Sequence, residues 1–223
     1  LVKKRADRLS VAHILGEKSF MGLDFLVNEQ VLIPRPETEM LVETVLGQLT
    51  QDSQAHILDI GTGSGAILLS ILHERPQCRG LGVDISQQAL DVARKNGERL
   101  GLSDRVSWKI SDLLASVPPG AYDWVVSNPQ YLKAGEMHHL QPEVRHDPAL
   151  ALFGGEDGLE YYRRIAGDVV PYVKVDGFCA VEAGAGQSRD IASIFTGTGH
   201  FALQRIVNDY GGIERVVVFQ RKE

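Results

Sequence analysis

The chain has 223 residues, 43% of them hydrophobic and 23% charged, with a formal net charge of -6; that suits one large α/β domain, or a domain with a small appendage, and argues against broad affinity for nucleic acid, which needs a concentrated basic surface. Lys3, Lys4, Arg5 and Arg8 form a basic cluster near the chain end that reads as a solvated face or linker. Two cysteines, Cys78 and Cys179, exclude a disulfide framework and lack zinc-site spacing, while no apolar run approaches the roughly 18–20 residues of a membrane span, so a reducing cytoplasm and no membrane are expected.

Residues 1–33 read as a lead-in segment. A short polar helix is followed by KSFMGLDFLVNEQVLIP, where two apolar runs flank Asn28 and Glu29 and predict a small β-hairpin. Pro36 and the acids Glu37 and Glu39 then supply helix-start chemistry, and Leu41, Val42, Val45, Leu46 and Leu49 an apolar stripe. From residue 55 short β-rich runs alternate with amphipathic segments, the pattern of a parallel sheet flanked by helices. Strands are predicted at 56–60, 80–85, 106–111, 122–128 and 177–184, and helices at 65–74, 87–100, 156–173 and 187–196. Residues 201–209 and 215–222 are two further strands around a short turn, which should pair antiparallel.

Gly61, Thr62, Gly63, Ser64 and Gly65 leave the first central strand and lead straight into a helix. Such glycines let the chain turn sharply and a ligand approach bare backbone. The spacing is G-x-G-x-G, whereas the dinucleotide fingerprint has its third glycine one residue later, so another nucleoside ligand is favoured. Asp84 ends the next strand, where a carboxylate can accept hydrogen bonds from both ribose hydroxyls or cap the following helix. Asp112, at the end of the third strand, is a candidate for an adenine amino group, with Ile85 and Leu113 beside the ring. The strand WVVS stops at Asn128, Pro129, Gln130 and Tyr131, which present hydrogen-bonding groups at the sheet's edge.

DIGTGSG, VDIS, SNPQY and the closing hairpin resemble class I S-adenosylmethionine-dependent methyltransferases, with a mostly parallel seven-stranded Rossmann-like sheet and helices on both faces. ILGEKSFMGLDFLVNEQVLIPRPETEMLVE, EVRHDPALALFGGEDGLEYYRRI and GGIERVVV narrow the resemblance to the protein-(glutamine-N5) methyltransferases of peptide-chain release factors. The resemblance implies S-adenosyl-L-methionine as cofactor, S-adenosyl-L-homocysteine as product, class I release factors as protein substrates, and a methyltransferase domain over residues 34–223. It also implies a small N-terminal helical domain preceding the given sequence, with residues 1–12 as its linker. The family's Asn-Pro-Pro-Tyr motif corresponds to Asn128, Pro129, Gln130 and Tyr131, with Gln130 the one departure.

An amide nitrogen is a poor nucleophile, so such a site must mainly position its substrate. The Asn128 side-chain carbonyl and the Pro129 main-chain carbonyl can each accept one hydrogen of a substrate NH₂, the Asn128 NH₂ can itself donate to the substrate or the cofactor, and Tyr131 can stack on the amide or exclude water. Arg35 is expected to border the pocket, if its neighbourhood does more than cap a helix. Glu182 ends an otherwise apolar strand, on the substrate side or merely satisfying backbone. An N-methyltransferase of an exocyclic amino group on a nucleic-acid base poses the same chemical problem and is the rival reading; a non-catalytic cofactor-binding module is the third.

Overall fold

The computed structural model describes residues 2–6 and 8–223; Leu1 and Asp7, both within the predicted N-terminal helix and linker, lie outside the described residues. Two short helices, α1 (Val2–Ala6) and α2 (Val11–Leu15), precede the hairpin of β1 (Glu17–Phe20) and β2 (Leu23–Leu26). The hairpin does not turn at Asn28 and Glu29 as predicted but at Met21 and Gly22. Both turn residues have positive φ, 50° and 72°, the backbone that matches a two-residue turn to the twist of its strands. Asn28 instead makes a tight polar turn, its Oδ1 accepting from Gln30 N at 2.9 Å.

A 3-10 turn at Pro36–Thr38 runs into α3 (Glu39–Leu46), and the regular alternation follows: β3 (His56–Ile60), α4 (Ala66–Glu74), β4 (Arg79–Asp84), α5 (Gln87–Arg99), β5 (Val106–Ile110) and β6 (Tyr122–Ser127). After a long segment of 3-10 turns come α6 (Glu160–Asp168), β7 (Val173–Glu182), α7 (Ser188–Gly197), β8 (Phe201–Asn208) and β9 (Glu214–Arg221). The helix predicted over 156–173 is shorter at both ends. The glycines of GGEDG delay its start, and Pro171, which lacks an N–H and restricts the residue before it, converts its end to a 3-10 turn at Val170–Tyr172. β7 consequently begins four residues before the predicted 177 and bulges at Asp176, whose φ is 62°.

The seven-stranded sheet has the order β5-β4-β3-β6-β7-β9-β8, parallel except for β9 and β8, which run antiparallel to their neighbours. Side chains alternate across it as a period of two requires. Ile57, Trp124, Val126, Val216 and Val218 pack with Leu41, Val45, Leu68 and Leu72 on one face. Leu58, Ile60, Val125, Val217 and Phe219 pack with Tyr162, Ile165, Ile191 and Phe195 on the other. Helices therefore cover both faces, as the pattern predicted.

Phe20 and Phe25 of the hairpin belong to the first of these clusters, so the lead-in is docked on the sheet domain. Buried Asn96 of α5 completes the attachment: its Oδ1 accepts from Leu26 N at 2.7 Å, and its Nδ2 donates to Leu26 O at 3.1 Å and Ser64 O at 2.9 Å. One amide thereby connects hairpin, glycine loop and α5. Strand order reverses at β3, whose neighbours β4 and β6 carry the chain away to opposite sides. In open α/β sheets a ligand crevice forms outside the carboxyl ends at such a point.

Candidate functional site

A cavity of about 270 Å³ opens there, lined among others by Gly61, Gly63, Asp84, Ile85, Asp112, Leu113, Asn128, Pro129 and Gln130. At Gly61 and Gly63 φ is 72° and 55°, and a Cβ added to either would meet no atom within 4 Å. These glycines are thus required by the turn, and they leave bare backbone facing open space. The loop is held by Gly61 N and Thr62 N, which both donate to Val83 O at 2.9 Å.

The remaining predicted loop residues lie beneath the cavity surface. Thr62 and Ser64 are buried and, with Gly65, do not line the cavity. Thr62 Oγ1 donates to Asp59 Oδ2 at 2.6 Å under the loop. Burial pushes the Asp59 carboxyl up to about 7, opposed by the Thr62 bond. A Cβ on Gly65 would come within 3.0 Å of Leu69 Cδ1 and Trp108 Cη2, so that glycine permits helix packing.

Asp84 ties the glycine loop to the turn before α5 and does not itself cap that helix. Its Oδ2 accepts from Gly63 N and its Oδ1 from Ser86 N, each at 2.9 Å, while the capping of α5 itself falls to Ser86 Oγ, which accepts from Ala89 N. A carboxylate has about four lone-pair sites, so each oxygen can still accept a ligand hydroxyl. Burial raises the Asp84 pKa and the backbone bonds from Ser86 and Gly63 oppose the rise.

Asp112 is oriented by Arg164, Nη2 to Oδ2 2.8 Å, and Arg164 in turn lies 5.7 Å from the ring centre of Tyr161 on the cavity wall. Leu113 holds φ 48°, uncommon for an apolar residue, and lines the cavity. Ile85 is 57% exposed at the cavity rim. Bare loop backbone, a carboxylate beside it and a second carboxylate flanked by apolar side chains fit an adenosyl group in kind: hydroxyls for Asp84, an amino group for Asp112 and a flat ring between Ile85 and Leu113.

The opposite wall carries the SNPQY turn. Asn128 Nδ2 donates to Thr38 Oγ1 at 3.1 Å, and Asn128 Oδ1 accepts no hydrogen bond among the described residues. Two glycines clamp the backbone that follows. A Cβ on Gly154 would sit 2.6 Å from Gln130 O, and one on Gly158, where φ is 74°, 2.3 Å from Tyr131 O. The FGGEDG run, with no evident chemistry in the sequence, is therefore the seat on which the turn is pressed. Gln187 closes it by donating from Nε2 to Tyr131 O at 3.1 Å.

Tyr131 does not line the cavity; its ring lies against Gly184 beside Glu182, and burial, with Glu182 adding, pushes its phenol up to about 12. It therefore remains an O–H donor. Arg35 is also outside the cavity wall. Its Nη2 donates to Asp147 Oδ2 at 2.6 Å, and His13 Nε2 lies 3.7 Å from Asp147 Oδ1. Arg5 and Arg8 of the basic cluster both pair with Glu143. The His13, Arg5 and Arg8 contacts fasten the lead-in, and Arg35 the turn after it, to the segment between β6 and α6, from which Pro148, Leu150 and Ala151 reach the cavity. Gln30, Val31, Leu32 and Tyr161 also line it and were missed in the sequence, since their only signal is being brought there by the fold.

Gln130 Nε2 donates to Leu150 O at 2.7 Å, and its backbone N–H makes no hydrogen bond among the described residues. Gln130→Pro therefore removes one exposed side-chain tie and no backbone bond. The expected kcat stays within about threefold of the original, since proline biases the residue before it towards the extended region and stiffens the Pro129 carbonyl. Steady-state kinetics of this variant would show otherwise by a large fall in kcat, which would give the Gln130 side chain or N–H a part in transfer.

A family profile described as the methyltransferase small domain matches residues 36–143. The chain is 43% identical over 226 residues to a release factor glutamine methyltransferase of Agrobacterium fabrum, a match that covers 99% of this chain and 78% of that protein. Among solved structures it is similar to a release-factor-specific protein-(glutamine-N5) methyltransferase of Alicyclobacillus acidocaldarius, at 27% identity and a TM-score of 0.53, over 89% of this chain and 100% of that one. A methyltransferase of Pyrococcus furiosus shares the fold over the full length of both chains, with a TM-score of 0.70 at 17% identity.

Proposed function

The chain belongs to the release factor glutamine methyltransferase family, and from that membership we propose that it methylates the side-chain amide nitrogen of the glutamine in the Gly-Gly-Gln motif of class I release factors. The observation that carries the proposal is the Asn128 amide: its NH₂ is engaged by Thr38, and its Oδ1 belongs to a residue of the cavity wall opposite Asp84.

S-adenosylmethionine, when bound, supplies an electrophilic methyl group on a sulfonium; the rest is the work of this chain. Gly61, Gly63, Asp84, Ile85, Asp112 and Leu113 would hold the nucleoside. Asn128 Oδ1 and the Pro129 carbonyl each accept one hydrogen of the substrate NH₂, fix its plane and raise electron density on its nitrogen. As the N–C bond forms, the nitrogen sheds one proton to solvent, and the two carbonyls stabilise the positive charge until it leaves. Tyr131, kept protonated by burial, stands behind the cavity wall, where its carbonyl, held by Gln187, fixes the turn that carries Asn128 and Pro129.

A glutamine presented by an extended Gly-Gly-Gln tripeptide can enter a crevice that a folded surface cannot. The decisive assay combines radiolabelled S-adenosylmethionine with a purified class I release factor, the same factor with its Gly-Gly-Gln glutamine replaced, and DNA and RNA in parallel. Label is expected on the intact release factor alone. Label on nucleic acid and none on the release factor would establish the rival base N-methyltransferase instead.

A further inference from the structure

Glu182 is 1% exposed at the carboxyl end of β7, in a strand otherwise apolar over its last four residues. A buried carboxylate is unfavourable unless its position is useful or fully compensated. This one is not fully compensated, because Oε2 is buried without a hydrogen-bond partner among the described residues. The backbone does not need the side chain, since Glu182 O accepts from Tyr162 OH at 2.7 Å and β7 pairs regularly with β9. The sequence left open whether Glu182 serves the substrate side or merely satisfies backbone, and these contacts remove the second option.

The groups facing its carboxyl come from four elements. Thr38 and Glu37 approach from the 3-10 turn, Asn128 and Tyr131 from beyond β6, Arg215 from β9 and Tyr162 from α6. Thr38 and Asn128 both act to lower its pKa, and Asn128 Nδ2 donates to Thr38 Oγ1 at 3.1 Å, while no side chain donates a hydrogen bond to the Glu182 carboxyl among the described residues. A carboxylate can only accept, and a hydroxyl has one hydrogen to give. If Thr38 directs its O–H to Glu182, it has no hydrogen left for Asn128 and can only accept from it. Two acceptors then face the Asn128 side chain, which settles which of its ends turns towards them.

Resting on the substrate reading above, we propose that Glu182 is a positioning residue: directly and through Thr38, its carboxylate holds the Asn128 NH₂ on the protein side, so that Asn128 Oδ1 meets the substrate amide. The inverted side chain would offer the substrate NH₂ two donors where it needs an acceptor. Protonation of Glu182 turns an acceptor into a donor and removes the constraint. Burial pushes that carboxyl up to about 7, with Thr38 and Arg215 opposing and Glu37 adding. Transfer should therefore rise with pH across this region, the active form being the deprotonated one.

The test measures kcat, KM for the release factor and the Kd of S-adenosylhomocysteine for Glu182→Gln, Thr38→Val and Thr38→Ser, from about pH 6 to pH 8.5, the range spanning this titration. Glutamine at 182 can donate as well as accept, so kcat is expected to fall by about 10²-fold, with the acidic limb lost. Kd and KM are expected to stay within about twofold, because the lost constraint acts on orientation in the transition state. Thr38→Val should behave likewise and Thr38→Ser should restore most of the rate, which keeps the test open if Glu182→Gln fails to fold. An unchanged kcat, an acidic limb that persists in Glu182→Gln, or a Kd that worsens in parallel with kcat would each overturn the proposal. A wild type that labels no release factor would overturn the substrate reading and this inference with it; a working wild type with unaffected variants overturns this inference alone.

Discussion

Asn128→Ala is expected to lower kcat for glutamine methylation by on the order of 10²–10³-fold, the usual consequence of deleting one preorganised polar group at a reacting centre. The substitution removes the side-chain acceptor and leaves the Pro129 carbonyl to hold the amide alone, so its plane is no longer defined. The backbone should survive, because its seat is made by Gly154, Gly158 and Gln187 and not by the Asn128 side chain. Cofactor affinity should change by less than about threefold, as one polar contact in a wet rim is worth little. Single-turnover methylation and equilibrium binding of S-adenosylhomocysteine, measured on the same preparation, separate the two effects. Loss of cofactor binding with normal turnover per bound cofactor would make Asn128 a cofactor ligand and remove it from the amide.

The converse pattern is expected of Asp84→Ala. Two hydrogen bonds from ligand hydroxyls to a charged acceptor, at roughly 1.5–3 kcal/mol each, amount to a weakening of cofactor binding by about 10²-fold or more. The same change frees Gly63 N and Ser86 N, which Asp84 now holds at 2.9 Å, so the loop also loosens. Asp84→Asn distinguishes the contributions, because it keeps one acceptor for the backbone while the charge is lost. At saturating cofactor both variants should recover most of kcat, as neither group touches the substrate amide. Isothermal titration with S-adenosylhomocysteine, followed by kinetics at high cofactor, would detect the opposite. An affinity within about twofold of the wild type would show that the ribose is bound elsewhere.

Much of this arrangement was legible in the sequence because it depends on local rules. Period-two apolar strands, amphipathic helices between them and a glycine loop at a strand end each announce themselves within about ten residues. Asp84 could be placed by its distance from that loop, and Asn128 by the abrupt end of an apolar strand. The misplaced hairpin turn shows where local rules compete. Asn28 and Glu29 are good turn formers, but Met21 and Gly22 join strands that put Phe20 and Phe25 into the core, and burial of two aromatic rings outweighs turn preference. Likewise Thr62, Ser64 and Gly65 look like ligand residues when the loop is read as a string. Only three dimensions show that the Thr62 and Ser64 side chains are buried and that Gly65 faces Leu69 and Trp108.

By itself the sequence determined the fold class, the order of strands and helices, and the two carboxylates and the amide on which the site depends, since these follow from periodicity and from residue types at strand ends. The tertiary structure decided what distant segments do to one another. It brought the 3-10 turn at Thr38 against Asn128, pressed the glycines of GGEDG under Gln130 and Tyr131, tied Arg35 to Asp147, and buried Glu182 beside the amide. Contacts of this kind span from 24 to 112 residues of chain, and they form because packing and burial reward proximity in space, which no local pattern encodes.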